Sequence, residues 1–392
     1  MNDHLLNNYG PRDLTIARGK GSWVWDAQGN QYLDCVSGVA VNAFGHGYAP
    51  VLAAIRGQLE CYLHASNLYL MEPQLRLAAE LCAAMGMDKA FFCNSGTEAN
   101  EGAIKFARRH CLEKQEQGKP PKTGILSFSS SFHGRTYASM AATGQDKIRN
   151  GFGPLPEGFR VLPVNDPAAL RAAVAPDTAA IIFEPILAEG GIISVSTELA
   201  AALKEAQANG ALLIADEIQT GLGRTGEMLA SRALGLDPDL VTLAKPLGGG
   251  LPLGAVLLRA EIAASIHVGD HGSTFGGNPV ACVAGSAVLA GLQAPGFLAG
   301  VRARAHILHA ALKALIQRKS ALGIECGPVL GKGFLTGFRF GGDLGVLQKA
   351  CRANGLLVHR AGTDVIRLLP PLNVSESEIE ALIDRLDRSM VG

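Results

Sequence analysis

Residues Leu240–Ala255 read LVTLAKPLGGGLPLGA. The first five, Leu240 to Ala244, form a short run of apolar and β-branched residues, the kind that fills a strand covered on both faces. Glycine and proline dominate the rest. Between the halves stands Lys245, the only lysine between Lys204 and Lys313. An ammonium group at the end of a buried run has two physical readings. Burial can lower its pKa and free the amine as a nucleophile toward carbonyls. Alternatively, it pairs with a buried carboxylate.

Similar apolar runs precede it: KAFFCN (Lys89–Asn94), GILSFS (Gly124–Ser129), FRVLPV (Phe159–Val164), AAIIFEP (Ala179–Pro185) and ALLIAD (Ala211–Asp216). Helical periodicity marks PVLAAIRGQLECYL (Pro50–Leu63) and EPQLRLAAELCAAM (Glu72–Met85). Continuous apolar runs alternating with helices predict an α/β fold with a mostly parallel sheet covered on both faces. The first fifty residues read as irregular chain and short strands, with a hairpin turn at Gln28-Gly29-Asn30. After Leu292 the texture becomes that of a smaller α+β unit. Phe297–Lys319 reads as a helix, and GKGFLTGFRF (Gly331–Phe340) and DVIRLLPPL (Asp364–Leu372) read as strands. A last helix opens at Ser375, three residues before Glu378, in capping-box spacing. The expected division is an N-terminal segment 1–50 belonging to the small domain, a large domain 51–292 and a C-terminal small domain 293–392.

Of 392 residues, 48% are hydrophobic and 18% charged, and 35 Lys and Arg balance 35 Asp and Glu. With no basic block, nucleic acid and anionic membranes are not expected partners; a small molecule held by a few placed charges is. The eight cysteines form no C-x-x-C pair and suit buried thiols in a reducing compartment. The opening MNDHLLNNYGPRD lacks the basic-then-apolar pattern of a secretory leader. Gly272–Val301 carries no charge, but its apolar centre is about half the length a bilayer needs, so a buried helix is expected. EKQEQGKPPKTG (Glu113–Gly124) reads as a surface loop. These features predict a soluble, cytoplasmic protein without a metal site.

In open parallel sheets ligands sit beyond the carboxyl ends of the strands. Ser95, Gly96 and Thr97 follow the first run and open a helix, which is either a phosphate site or an ordinary N-cap. Asp216-Glu217 ends another run and needs a cationic partner. GLGRTG (Gly221–Gly226), with Asp239 further on, satisfies a dinucleotide pattern. However, EIQT separates its first glycine from the strand, and Asp239 precedes the next run instead of following it, so that reading is set aside. A phosphate cradle, a buried carboxylate and a buried lysine on successive strand ends together suit pyridoxal phosphate.

The sequence resembles the class III pyridoxal-phosphate aminotransferases of fold type I over essentially its whole length. The stretches that carry the resemblance are FCNSGTEANEGAIKFAR (Phe92–Arg108), SFHGRT (Ser131–Thr136), EP at Glu184 followed by EGG at Glu189, ADEIQTGLGRTG (Ala215–Gly226), LAKPLGGGLPLGA (Leu243–Ala255) and HGSTFGGNPVAC (His271–Cys282). Within the class, VNAFGHGYAP (Val41–Pro50), NLYLMEPQLRLA (Asn67–Ala78) and SFHGRTYASMAATGQ (Ser131–Gln145) are most similar to the acetylornithine-type members.

The resemblance implies a seven-stranded, mostly parallel sheet in the large domain. It makes Lys245 the lysine that holds the cofactor aldehyde and later carries a proton. Asp216 becomes the partner of the ring nitrogen, Gln219 a neighbour of the phenolic oxygen, Ser95, Gly96 and Thr97 the phosphate cradle, and Phe132 the aromatic stacked on the ring. His133 is left open between packing and function, and Glu217 between support and plain structure. Arg135 would hold the α-carboxylate of acetylornithine. Arg367 would hold that of glutamate, with Glu189 pairing it when glutamate is absent. Thr274 would reach phosphate and Ser273 the substrate in a neighbouring subunit, implying a homodimer with shared sites. Tyr9 and Asn42 would border the pocket. Where relatives carry Gln-Gly before the glutamate, this chain has Leu187-Ala188, which can reshape the Glu189 region. Ornithine, succinylornithine, succinyldiaminopimelate and 4-aminobutyrate are alternative amine donors, and an aminomutase is a further alternative.

Overall fold

The computed structural model describes residues 4–9, 13–115 and 121–390. Parts of the opening stretch (1–3, 10–12) and of the expected loop (116–120) lie outside the described residues. Strands β1 (Ile16–Lys20), β2 (Trp23–Asp26) and β3 (Gln31–Asp34) form an antiparallel meander. Its second turn is the expected one: Gly29 has φ 88°, and the Asp26 carboxylate accepts from the Gln28 and Asn30 amides.

The chain then supplies β4 (Lys89–Cys93), β5 (Gly124–Phe128), β6 (Phe159–Leu162) and β7 (Thr178–Phe183). A two-stranded hairpin of β8 (Ile186–Leu187) and β9 (Ile193–Ser194) follows. Next come β10 (Leu212–Asp216), β11 (Leu240–Leu243) and β12 (Gly254–Leu258). The large sheet has seven strands in the order β4-β12-β11-β10-β7-β5-β6. All neighbours are parallel except β12, which runs antiparallel to both β4 and β11. Continuous apolarity is explained by burial on both faces. Ile181, Phe183, Leu213 and Ala215 join one core, while Ala180, Ile182 and Ile214 point into the other. Burying each of the larger side chains contributes about 1.5–3 kcal/mol.

The charge-free stretch becomes the helix Pro279–Gln293, capped by the Asn278 side chain. Its small residues permit close packing: a Cβ on Gly285 would lie 2.9 Å from Leu77, and one on Gly291 would lie 2.7 Å from Phe44. Among the described residues no single helix is long and apolar enough to cross a membrane.

The remaining strands are β13 (Cys326–Lys332), β14 (Leu335–Phe340), β15 (Leu356–Leu357), β16 (His359–Ala361) and β17 (Val365–Leu368). They give a sheet of order β13-β14-β17-β16, while β15 pairs in parallel with β3. Gly331–Phe340 is therefore not one strand, as its composition suggests, but a strand end, a turn and a second strand. Gly333, at φ 62°, makes the turn. The helix Phe297–Ala321 packs behind, and Glu376–Ser389 carries the expected capping box between Ser375 and Glu378. The cysteine expectation needs correcting at three positions. All eight thiols are free, but Cys61 is exposed and Cys82 and Cys326 are only partly buried.

Candidate active site

Asp216 ends β10 and lies beside Thr242 of β11. Two residues past β11, Lys245 opens a tight turn over Lys245–Gly248 with φ 44°. Left-handed backbone in a lysine is costly, and such strain concentrates at functional sites. Lys245 and Asp216 line one cavity of about 420 Å³, together with Ser95, Gly96, Thr97, Phe132, Arg135 and Gln219. Thus eight of the sequence-derived residues share a single pocket. Burial pulls the Lys245 amine down to a pKa of about 8, aided by Arg367 and opposed by Glu189, Asp216 and Glu184.

The Asp216 carboxylate is fixed from several sides. One oxygen accepts from His133 Nδ1 and from Asn100 Nδ2, both at 2.8 Å. The other accepts from the Ile218 amide at 3.2 Å. Asn100 is tied in turn by the Thr242 hydroxyl, which donates to its Oδ1 at 2.8 Å. His133, left open by the sequence, is thus a partner of Asp216 with a fully buried ring. Asn100 was not foreseen, because on a helix opening with small and acidic residues it reads as solvent-facing. In the sequence Glu184 is simply the residue that follows the apolar run Ala179–Phe183. It lies in the pocket wall and accepts from the Phe132 and Ala188 amides. Burial, reinforced by Asp216, pushes its carboxyl well above the ordinary range.

Ser95 caps the 18-residue helix Gly96–Glu113, accepting from the Glu98 amide, while Glu98 accepts from the Asn94 amide and the Ser95 hydroxyl. Thr97 Oγ1 meets Thr136 Oγ1 at 2.7 Å and accepts from the Arg135 and Thr136 amides. This closure needs Gly134, at φ 141°, since a Cβ there would lie 2.1 Å from Thr97 Oγ1. Gly134→Ala should therefore cost about 1–3 kcal/mol of stability and loosen cofactor retention. Urea unfolding, and dialysis followed by absorbance, would measure the two effects.

Arg367, on β17, has a fully buried side chain. Its Nη1 donates to Glu189 Oε1 at 2.8 Å, to the Ala188 carbonyl at 3.2 Å and to Gln219 Oε1 at 3.3 Å. Gln219 Nε2 also donates to Glu189 at 3.0 Å. Burial raises the Glu189 pKa, but the Arg367 charge and hydrogen bond, then Lys245 and Gln219, outweigh it and hold it at about 2. Among the described residues, Arg367 Nε and Nη2 are buried without a hydrogen-bond partner, and Arg367 lines neither cavity of the site. The Leu187-Ala188 departure leaves this contact intact, because Ala188 acts through its backbone and Leu187 sits buried in β8.

A second cavity of about 800 Å³ adjoins the first, sharing Phe132, Arg135 and Lys245 and adding Glu189 and His359. Arg135 is exposed between the two, its guanidinium carbon 5.7 Å from the Phe132 ring centre. His359 pairs in register with Arg367 across β16 and β17, and burial lowers its pKa. No sequence pattern pointed to it.

Other candidates fall elsewhere. Ser273 and Thr274 line another cleft that meets the Lys245 pocket at Asn94, whose Nδ2 donates to Ser273 Oγ at 3.3 Å; Ser273 Oγ also accepts from the Gly276 amide. Tyr9 is 78% exposed. Asn42 is outside the lining, although its neighbour Val41 belongs to it. Glu217 is buried and accepts from Thr220 Oγ1 and the Ser231 amide, which closes the loop after β10. The glycines of GLGRTG are buried, and Arg224 between them donates to the Phe334 and Pro370 carbonyls. Asp239 binds the Leu213 amide and Gln207 at the opposite ends of the strands. These contacts bury the three glycines and give Asp239 a structural partner away from the loop.

The pocket chemistry fits pyridoxal phosphate: a helix start for phosphate, a carboxylate for a protonated ring nitrogen, an aromatic wall and an amine of depressed pKa. Known proteins agree. The family model for class-III aminotransferases matches residues 6–390. Acetylornithine aminotransferase 1 of Bradyrhizobium diazoefficiens is 43% identical over 387 residues, covering 98% of this chain and 94% of that protein. The crystal structure of N-acetylornithine aminotransferase from Stenotrophomonas maltophilia is 33% identical with a TM-score of 0.83, covering 98% of this chain and 97% of that one. A PLP-bound amine transaminase from an uncultivated Pseudomonas species reaches a TM-score of 0.90 at 28% identity, covering 99% and 98%. With a match of this extent and a pocket of this chemistry, the chain belongs to the class-III aminotransferase family.

Proposed function

We propose that this chain moves the δ-amine of N2-acetyl-L-ornithine to 2-oxoglutarate through pyridoxal phosphate, giving N-acetylglutamate 5-semialdehyde and glutamate, a step of arginine biosynthesis. The observation that carries the reading is the Arg367–Glu189 pair at the Lys245 pocket. An enzyme that handles an ω-amine in one half-reaction and an α-amino acid in the other needs a carboxylate receptor it can mask. Paired with Glu189, Arg367 is neutralised. With Glu189 turned aside, its fork accepts the α-carboxylate of glutamate. The exposed guanidinium of Arg135, which lines both cavities, supports a role in holding the α-carboxylate of acetylornithine, leaving the δ-amine to reach inward.

Pyridoxal phosphate, when bound, supplies an aldehyde that takes up the amine and a ring that spreads carbanion charge. Lys245, with its pKa near the working pH, moves the proton between substrate carbon and cofactor. Asp216, oriented by His133 and Asn100, keeps the ring nitrogen protonated. Gly96 and Thr97 hold the phosphate, Phe132 packs on the ring, and Gln219 serves both the cofactor and the Arg367–Glu189 pair. Ser273 and Thr274, which do not line the Lys245 pocket of their own chain, complete the site of a second copy in a homodimer. The exposed apolar Tyr62, Leu63, Leu68, Tyr69, Leu70 and Phe275 support such an interface. Eight free thiols support a cytoplasmic location.

Initial rates with 2-oxoglutarate as acceptor test the substrate. Acetylornithine should exceed ornithine, succinyldiaminopimelate and 4-aminobutyrate in kcat/KM by about tenfold or more, the size of a few pocket contacts. A preference for another of these donors replaces the assignment while keeping the chemistry. Single-turnover kinetics test the two arginines. Arg367→Ala should slow the glutamate half-reaction by about 10²-fold and the acetylornithine half-reaction far less. Arg135→Ala should show the reverse asymmetry.

A further inference from the structure

The helix Phe297–Ala321 carries Arg302, His306, His309 and Lys313 at spacings of four, three and four residues, which places all four on one face. That face looks into a cleft of about 360 Å³ closed on the other side by the β13–β14 turn, where Lys332 adds a fifth basic group. The cleft shares no lining residue with the Lys245 pocket. Nothing in the class-III reading uses it.

Two of the five groups are anchored. Arg302 Nη1 donates to the Gly226 carbonyl at 2.7 Å, and His309 Nε2 meets the Gly333 carbonyl at 3.0 Å. Among the described residues, the one carboxylate in an ion pair with the cluster is Glu227, at 3.7 Å from Arg302 and partly exposed. His306, Lys313 and Lys332 make no ion pair among the described residues. At His309 burial lowers the pKa, the Gly333 carbonyl opposes it, and Lys313 and His306 lower it further. A solvated basic face on a lone helix spreads its charges toward water. Here a concave wall gathers them, and clefts lined by one sign of charge concentrate counter-ions.

We propose that this cleft is a binding site for a small polyanion, a phosphate ester or di- or tricarboxylate bearing at least two negative charges. The anion sits between the helix face and the β13–β14 turn, held by His306, Lys313 and Lys332 and by the outward edge of Arg302. The walls belong to the loop that follows Gln219 and to the sheet that carries Arg367, so the site is built on the same frame as the substrate pocket.

Isothermal titration of the holoenzyme with pyrophosphate and, separately, with citrate tests it. Both titrations omit 2-oxoglutarate, which as a dicarboxylate would compete for the cleft, and are repeated on Arg135→Ala, so that binding at the mouth of the substrate pocket is separated from binding in the cleft. Saturable binding is expected, weakening as NaCl rises. The two probes separate phosphate from carboxylate preference. The double variant His306→Ala, Lys313→Ala, at two exposed positions, should weaken binding about tenfold or more. Glu227→Gln, which removes the competing carboxylate, should tighten it about threefold. Steady-state KM for acetylornithine should be unchanged in both. Absence of saturable binding by either probe, or affinities indifferent to both variants, overturns the proposal.

Discussion

Lys245→Ala should lower kcat by about 10⁴-fold, the upper range for loss of a positioned acid–base group. The protein should also lose the yellow absorbance that borohydride bleaches. The reasoning rests on position more than on residue type. The amine sits where β11 ends beside the carboxylate that terminates β10, in a turn whose backbone is strained to present it. Burial brings its pKa to about 8, so near that pH about half of the amine is free of its proton. An ordinary surface lysine at a pKa near 10.4 would offer well under a hundredth. Removing the side chain should not unfold the protein, since a partly desolvated amine is itself unfavourable in the native state. Thermal unfolding of the variant therefore separates catalytic loss from collapse. A small primary amine added in solution should restore part of the rate by taking over the proton transfer. A variant that keeps both its colour and its turnover would remove Lys245 from the chemistry.

Much of this was legible in the sequence, because strands buried on both faces announce themselves as uninterrupted apolar runs. Six of the seven strands in the large sheet were read that way. The seventh, β12, was not. GAVLL follows so closely on the glycine-rich turn that it reads as a continuation of the loop, and its antiparallel direction depends on that turn. Gly331–Phe340 failed for the opposite reason, as a hairpin turn hidden inside an apolar stretch. Lys245 and Asp216 were visible as charges ending apolar runs. Asn100, Glu184 and His359 were not, because each becomes part of the pocket only through residues far away in the chain. Asn100 meets Asp216 across 116 positions. The unpartnered Nε and Nη2 of Arg367 are equally invisible in the sequence, since they depend on Ala188, Glu189 and Gln219 all meeting Nη1.

Asp216→Asn should reduce kcat by about 10²–10³-fold, the loss typical of one preorganised electrostatic group, with the fold unchanged by circular dichroism. The carboxylate oxygen that receives His133 Nδ1 and Asn100 Nδ2 can be copied by an amide oxygen. The amide must then turn its NH₂ toward the other side, where the Ile218 amide already donates. A donor would face a donor there, and a protonated ring nitrogen would meet a dipole of the wrong sign in place of a charge. The variant should therefore bind pyridoxal phosphate with its ring nitrogen unprotonated. The ¹⁵N chemical shift of labelled cofactor reports this directly, and a role in packing alone would not move it. Glu184 provides an internal check. Its carboxyl is raised by burial and, next, by the Asp216 charge. Neutralising residue 216 should thus let the Glu184 titration fall toward the ordinary range, in the variant but not in wild type. If the labelled nitrogen keeps its wild-type shift in Asp216→Asn, the proton there is held by some other group, and the arrangement of His133, Asn100 and Asp216 serves only to close the core.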